Sequence, residues 1–316
     1  MKALYFNHFG DSNVLKYGNI ADPIMDANSL LIQTTFIGLN YADIYRRNGN
    51  YHIEKHKPYI NGYEGIGNVV KIGENIKNYH IGDRILFVDV PFSNAELVAV
   101  PAENAINVPK FITDKIAISL GLQGLTADFL AHDLAANHID EHVFIHGLSG
   151  GVSQILTQLL VADGIKVSGT VSTDNKIQIA LDNGAEHVYK RDEISNGKLF
   201  NTFDTVYDGV GKTLPQSLEL LKHRGKVIFY GMAGGLPSPI DPVNLMSESK
   251  SILTGDLWDY LTDHKSRQLR FNRLLKYINR HQLKINSPEV IPLSNGQIAH
   301  ELMKSGHSAG KILLQP

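Results

Sequence analysis

The stretch Phe144-Ile145-His146-Gly147-Leu148-Ser149-Gly150-Gly151-Val152-Ser153 is a strand-like run that enters a glycine-rich turn and leaves as an amphipathic helical pattern. Glycines let a backbone approach a pyrophosphate, and a helix N-terminus presents free N–H groups with a partial positive charge. Strand, turn and helix in this order predict a dinucleotide site, with Ser149, Gly150, Gly151 and Val152 among its cofactor-binding residues. The spacing is G-x-x-G-x-x-S rather than G-x-G-x-x-G, and Ser153 stands where a third small residue allows close helix packing. A plain glycine turn is the competing reading, which the motif alone does not exclude.

The tip of the next predicted strand selects the nicotinamide cofactor. An NAD site usually carries an acid there, roughly 20 residues after the glycine turn, and that acid would repel a 2′-phosphate. Here the tip is Ser172, Lys176 follows one helical turn on, and Arg191 lies after the following strand. Together they favour NADPH. Asp174 is the counter-indication, because a small shift of the turn would bring its carboxylate to the ribose. A helix N-cap for Asp174 and solvated surface charge for Lys176 and Arg191 are the alternatives.

These residues need a framework. The 316 residues suit two domains. The formal net charge of −2, with charges interspersed, lacks the basic excess of a nucleic-acid binder. Cysteine is absent, which excludes disulfides, thiolate nucleophiles and Cys-based zinc sites. Neither a signal-peptide core nor an apolar run of about 20 residues is present, so a cytoplasmic protein outside the membrane is expected. Up to about Pro109 the chain shows short strand-like runs (Leu30 to Phe36, Gly67 to Ile72, Arg84 to Val88, Glu96 to Val100) that predict a compact antiparallel barrel or sandwich. A helix is predicted over Ile116 to Ala136, and strands and helices then alternate: strand His142 to His146, helix Gly151 to Ala162, strand Lys166 to Val171, helix Asp174 to Asn183, strand Asp204 to Tyr207, helix Leu214 to His223 and strand Lys226 to Tyr230. Such alternation predicts a doubly wound parallel sheet, giving an α/β protein. Helices at Lys265 to Arg280 and around Gln297 to Ser305 and a strand at Lys311 to Leu314 form a tail expected to rejoin the first domain. The expected domains are 1–115 with 262–316, and 116–261.

Asn40-Tyr41-Ala42-Asp43-Ile44-Tyr45-Arg46-Arg47-Asn48-Gly49-Asn50-Tyr51 resembles the N-x-x-D-x-Y-x-R-x-G-x-Y signature of zinc-free quinone oxidoreductases, the zeta-crystallin-like branch of the medium-chain dehydrogenase/reductase superfamily. Gly62-Tyr63-Glu64-Gly65-Ile66-Gly67, Ile81-Gly82-Asp83-Arg84, Gln123-Gly124-Leu125-Thr126-Ala127, Val206-Tyr207-Asp208-Gly209-Val210-Gly211, Arg224-Gly225-Lys226 and Gly310-Lys311-Ile312 follow in the family's order, so the resemblance covers essentially the whole chain. It implies a GroES-like, β-rich substrate domain formed by both termini, a central Rossmann domain, NADPH in the cleft between them, and a homodimer joined through the Rossmann sheets. It also implies cofactor contacts at Thr126, Gly211, Tyr230, Gly231 and Lys311.

In zinc-dependent relatives a catalytic metal is held by Cys, His and a third ligand. The matching positions look to be Asn40, Tyr63 and Gln123, neutral groups that make a poor zinc site, so no metal is expected. His142 and His146 share i,i+4 spacing, but they sit on a predicted strand without an HExxH context. Reduction of a quinone or enone then relies on orientation and hydrogen bonding as negative charge grows on the acceptor oxygen. Tyr51, Tyr45 and Asn40 are the expected catalytic groups, with aromatic packing as the alternative for the tyrosines. An enoyl-thioester reductase, whose family carries a similar segment, and a non-enzymatic NADPH-binding protein of the crystallin kind are the rival functions.

Overall fold

A computed structural model describes residues Met1–Pro316, and its contacts divide them into two units. The first comprises Met1–Gln123, Leu261–Arg273 and Ile285–Pro316. Its larger sheet has seven strands, in the order Glu289–Pro292, Ile312–Gln315, Ser29–Leu39, Glu64–Ile72, Arg84–Val88 and Ala105–Asn107, with Leu97–Pro101 also paired to Ser29–Leu39. All pairings are antiparallel except the first. A smaller sheet joins Lys16–Asn19, Lys2–Phe6 and Tyr59–Ile60.

Strand Ser29–Leu39 serves two cores because its register slips between Thr34 and Phe36. Leu30 and Ile32 pack with Val69, Ile85, Phe87 and Val98, whereas Ile37 and Leu39 pack with Leu4, Phe6, Ile312 and Leu314. Side chains alternate along a strand, so an irregularity that changes parity moves the buried set from even to odd positions. The helix Tyr41–Arg47 follows directly on the second of these cores.

The second unit comprises Gly124–Tyr260 and Leu274–Lys284. Its six parallel strands lie in the order His187–Lys190, Lys166–Val171, His142–Ile145, Phe203–Asp208, Leu221–Phe229 and Ser251–Thr254. Counted along the chain, that order is the doubly wound one of dinucleotide-binding sheets, and it reverses between His142–Ile145 and Phe203–Asp208.

Several sequence-based expectations need correction. The single helix over Ile116 to Ala136 is broken: Asp114–Ser119 and Leu125–Phe129 are α-helical, with wider turns at Leu120–Gly124 and Leu130–Ala135. Gly121 is non-helical (φ −61°, ψ −120°), and the next amide, Leu122 N–H, donates to Glu64 Oε1 at 2.6 Å. A tertiary hydrogen bond thus takes an amide that helical periodicity would assign to the helix. The helix predicted over Leu214 to His223 stops at Leu220, because Leu221 pairs with Phe203 as a strand residue. The units divide at Gln123/Gly124, and Leu274–Lys284 belongs to the second, where Tyr277 OH donates to Asp163 (2.7 Å) and Gln158 Nε2 to Lys284 O (3.0 Å). Strands Lys2–Phe6, Lys16–Asn19, Ser251–Thr254 and Glu289–Pro292, and the short helix Pro242–Ser247, were not expected. No helix is long and apolar enough to cross a membrane.

Candidate functional site

In the second unit, the carboxyl ends of strands His142–Ile145 and Phe203–Asp208 form the switch point at which doubly wound sheets bind ligands. The chain leaves the first of these through Gly147, whose φ of 77° suits glycine. Gly147 N donates to Thr170 Oγ1 (3.2 Å) and Leu148 N to Thr170 O (2.8 Å), which pins the turn to the neighbouring strand. Helix Gly151–Ala162 then begins from Gly150 without a side-chain cap or an acidic residue in its first turn, leaving its N-terminal dipole for an anion. Ser149 is buried, and its carbonyl accepts from Gln154 Nε2 at 2.8 Å. Gly150 is exposed, and Gly151 and Val152 are half-buried at the helix start.

Below this turn lies a network that sequence reasoning missed. Asp208, fully buried, accepts from Val210 N (2.9 Å), Gly211 N (3.0 Å), Thr213 Oγ1 (2.8 Å) and Ser217 Oγ (2.7 Å). Ser217 donates its proton to that carboxylate, so it accepts from His146 Nε2 at 3.0 Å, which selects the Nε2–H tautomer. The motif Asp208-Gly209-Val210-Gly211 was the available signal, but its partners lie on other elements. Burial, aided by the charge of Arg191 and opposed by Asp208, lowers His146 to about 4. The folded protein therefore holds this imidazole neutral, while the unfolded chain takes up a proton below about 6.5. Stability tied to His146 is present above that pH and is lost as pH falls toward 4, up to about 3 kcal/mol. Thermal melting of His146→Asn should consequently depend less steeply on pH between 6.5 and 4.5 than that of the wild type; parallel profiles would refute it.

At the strand tips, Lys176 is 5% exposed, whereas Ser172 and Arg191 are exposed. Burial first, and the neighbouring Arg191 second, hold the Lys176 ammonium below its ordinary range, so the fold brings the two cations within electrostatic reach. Asp174, the counter-indication, is engaged elsewhere: its carboxylate pairs with Lys190 Nζ at 2.9 Å. Thr126 is half-buried in the first turn of helix Leu125–Phe129. Gly211 is tied to Asp208, and Gly231 is half-buried beside Gly209. The half-buried Tyr230 bonds to the side chain of Ser153, and burial pushes its phenol up to about 12.

In the first unit, Asn40 ends the long strand and leads into helix Tyr41–Arg47; its N–H is capped by Asp43 Oδ2 at 2.9 Å. Its side chain is committed on both sides: Nδ2 donates to Glu64 Oε2 (2.9 Å), and Oδ1 accepts from Lys311 Nζ (2.9 Å). Lys311 also pairs directly with Glu64 Oε2. The side chain of Lys311, an expected cofactor contact, is 2% exposed and its ammonium is enclosed between Glu64 and Asn40. Asn40, expected among the catalytic groups of the cleft, joins Glu64 to Lys311 in this triad. Glu64 has no room for a neighbour's side chain, since a Cβ on Gly38 or Gly121 would run into its carboxylate.

Helix Tyr41–Arg47 also presents Arg46, which the sequence did not single out. Its Nη1 contacts Asp43 Oδ1 at 3.3 Å, and its Nε donates to His52 O at 3.0 Å. Its guanidinium carbon lies 3.7 Å from the ring centroid of Tyr63 and 5.0 Å from that of Tyr51. Tyr45 meets Tyr51 edge-on, with centroids 6.4 Å apart at 67°. The two expected catalytic tyrosines thus form one aromatic group, in which Tyr51 is 38% exposed and Tyr45 half-buried. Desolvation raises the Asp43 carboxyl against the opposing effect of Arg46. Tyr63 and Gln123 are buried, and Tyr63 Oη accepts from Glu54 N at 3.3 Å.

Residues 26–110 match the alcohol dehydrogenase GroES-like domain, and residues 151–267 the zinc-binding dehydrogenase family. A Schizosaccharomyces pombe protein named "probable quinone oxidoreductase" is 32% identical over 314 residues, covering 96% of this chain and 94% of its own. The 2-haloacrylate reductase of a Burkholderia species is 30% identical, covering 90% of each chain. The structure of Escherichia coli quinone oxidoreductase complexed with NADPH superposes over 100% of both chains with a TM-score of 0.92 at 28% identity.

Proposed function

From a chain that belongs to the quinone oxidoreductase family of the medium-chain dehydrogenase/reductase superfamily, we propose an NADPH-dependent reductase of quinones or related electron-poor enones that works without a metal. The observation that carries the cofactor reading is the pair Lys176 and Arg191 at the strand tips, with Asp174 already neutralised by Lys190. Two adjacent cations suit the 2′-phosphate that distinguishes NADPH, and the uncapped helix at Gly151 suits its pyrophosphate. Ser149, Gly150, Gly151, Val152, Ser172, Thr126, Gly211, Tyr230 and Gly231 complete the proposed binding set. When bound, NADPH supplies the hydride.

The protein's own part is to orient the acceptor, exclude water and stabilise the oxyanion that grows on it. We assign that hydrogen bond to Tyr51, supported by Tyr45. The metal-free reading is supported by the chemistry of Asn40, Tyr63 and Gln123, whose neutral oxygens and nitrogens are weak zinc ligands, and whose Asn40 amide is already bound to Glu64 and Lys311. A second copy of the chain is the proposed partner, since strand Ser251–Thr254 leaves an open sheet edge.

The test is a panel of o- and p-quinones, enones and enoyl thioesters, assayed with NADPH and NADH before and after exhaustive chelation. Steady NADPH-dependent quinone or enone turnover that survives chelation is expected. Turnover confined to enoyl thioesters, or loss of activity with removal of stoichiometric zinc, would overturn the reading, and no turnover at all would favour a binding role. Tyr51→Phe should lower kcat for a quinone roughly tenfold, below the usual range for positioned proton donors, because a hydroquinone can take its proton from water. The loss should be larger with an enone. Wild-type quinone rates in Tyr51→Phe but not in Tyr45→Phe would transfer the role to Tyr45.

A further inference from the structure

Granted the role proposed for Tyr51, on which this step rests, we infer that Arg46 is the positioning residue of that tyrosine: a buried, fixed cation beneath its ring that favours hydrogen-bond donation by its phenol. Arg46 is only 3% exposed, an uncommon environment for a guanidinium, and three contacts immobilise it. Asp43 holds Nη1, the carbonyl of His52 holds Nε, and the ring of Tyr63 lies under the guanidinium. The His52 bond acts on the residue immediately after Tyr51, so one side chain restrains both the ring and the backbone of the candidate donor.

The charges nearby do not duplicate this effect. Asp43 is the counter-ion of Arg46, Glu64 is paired with Lys311, and exposed His52 and Glu54 pair with each other at 3.2 Å. The neighbouring Arg47 is turned to other work: it donates to Gly10 O at 3.0 Å and contacts His300 Nδ1 at 3.1 Å. Arg46 is thus the cation whose distance to the Tyr51 ring, 5.0 Å, lies within the range of cation–π attraction. As a hydrogen bond from Tyr51 to a reduced oxygen strengthens, negative charge moves onto the phenol ring, and a cation over that ring stabilises it. Compensation of buried Asp43 is the purely structural alternative, and it predicts no link between Arg46 and Tyr51.

The experiment is a double-mutant cycle in the full chain with NADPH and a p-quinone. Arg46→Met should lower kcat about fivefold with KM for NADPH unchanged, and Arg46→Lys, which keeps the charge, should stay within about twofold. In the Tyr51→Phe background, Arg46→Met should cost nothing more. Should Arg46→Met fail to fold with Asp43 left unpaired, the neutral pair Arg46→Met with Asp43→Asn carries the same comparison. A phenolate absorbance titration is independent of turnover: the tyrosine that Tyr51→Phe removes should ionise in Arg46→Met at a pH about 1 higher. Full loss in the Tyr51→Phe background, a Lys variant no better than Met, or an unmoved titration would overturn the assignment. A wild-type protein that reduces neither quinones nor enones would instead defeat the functional reading, leaving the titration to decide Arg46.

Discussion

Replacing Lys311 with methionine is expected to destabilise the protein by about 3–5 kcal/mol, the usual cost of leaving one member of a buried ion pair uncompensated. The Glu64 side chain is fully buried, and Lys311 supplies the ammonium that faces it, with Asn40 as the third member. Methionine fills much the same volume, so the loss would report charge rather than a cavity. Glu64 would keep its bonds from Leu122 N and Asn40 Nδ2, but those neutral donors do not balance a carboxylate. Glu64→Gln combined with Lys311→Met should recover much of the loss, because the charge and its counter-ion disappear together. Denaturant titrations of the two single variants and the double variant measure this directly. A Lys311→Met protein within about 1 kcal/mol of wild type would show that the triad does not anchor the closing strand.

Lys176→Ala should weaken NADPH binding by roughly ten- to a hundredfold while leaving NADH nearly unchanged, corresponding to about 1.5–3 kcal/mol for a charge-assisted phosphate contact. The geometry suggests why a single residue carries so much. Lys176 is enclosed, and the Arg191 charge acts on its ammonium, so a 2′-phosphate dianion placed between them would meet both charges. Removing Lys176 removes the enclosed half of that pair, where solvent screens least. Asp174→Ala, by contrast, should alter neither affinity by more than about threefold, since its carboxylate is held by exposed Lys190. Equal losses of NADPH and NADH in Lys176→Ala, read by fluorescence titration, would reject the phosphate contact and return Asp174 to the ribose.

The elements legible in the sequence were those whose signal is local. Helix Gly151–Ala162 and strand Lys166–Val171 stand where periodicity put them, because apolar spacing and the glycine turn are properties of neighbouring residues. The parallel sheet followed from alternation, and the family from ordered motifs along the whole chain. The broken helix at Gly121 was not legible, since its cause is a carboxylate, Glu64, contributed by a distant strand. The partners of Lys311 were not legible for the same reason: 247 residues separate it from Glu64 and 271 from Asn40. Nor could Arg46 be told from its neighbour Arg47, for one lies over the rings of Tyr51 and Tyr63 while the other reaches Gly10 and His300. Periodicity and turn chemistry are written in adjacent residues. The partner of a buried charge is decided only when folding removes water and leaves each charged group whichever counter-charge the packed chain has brought beside it.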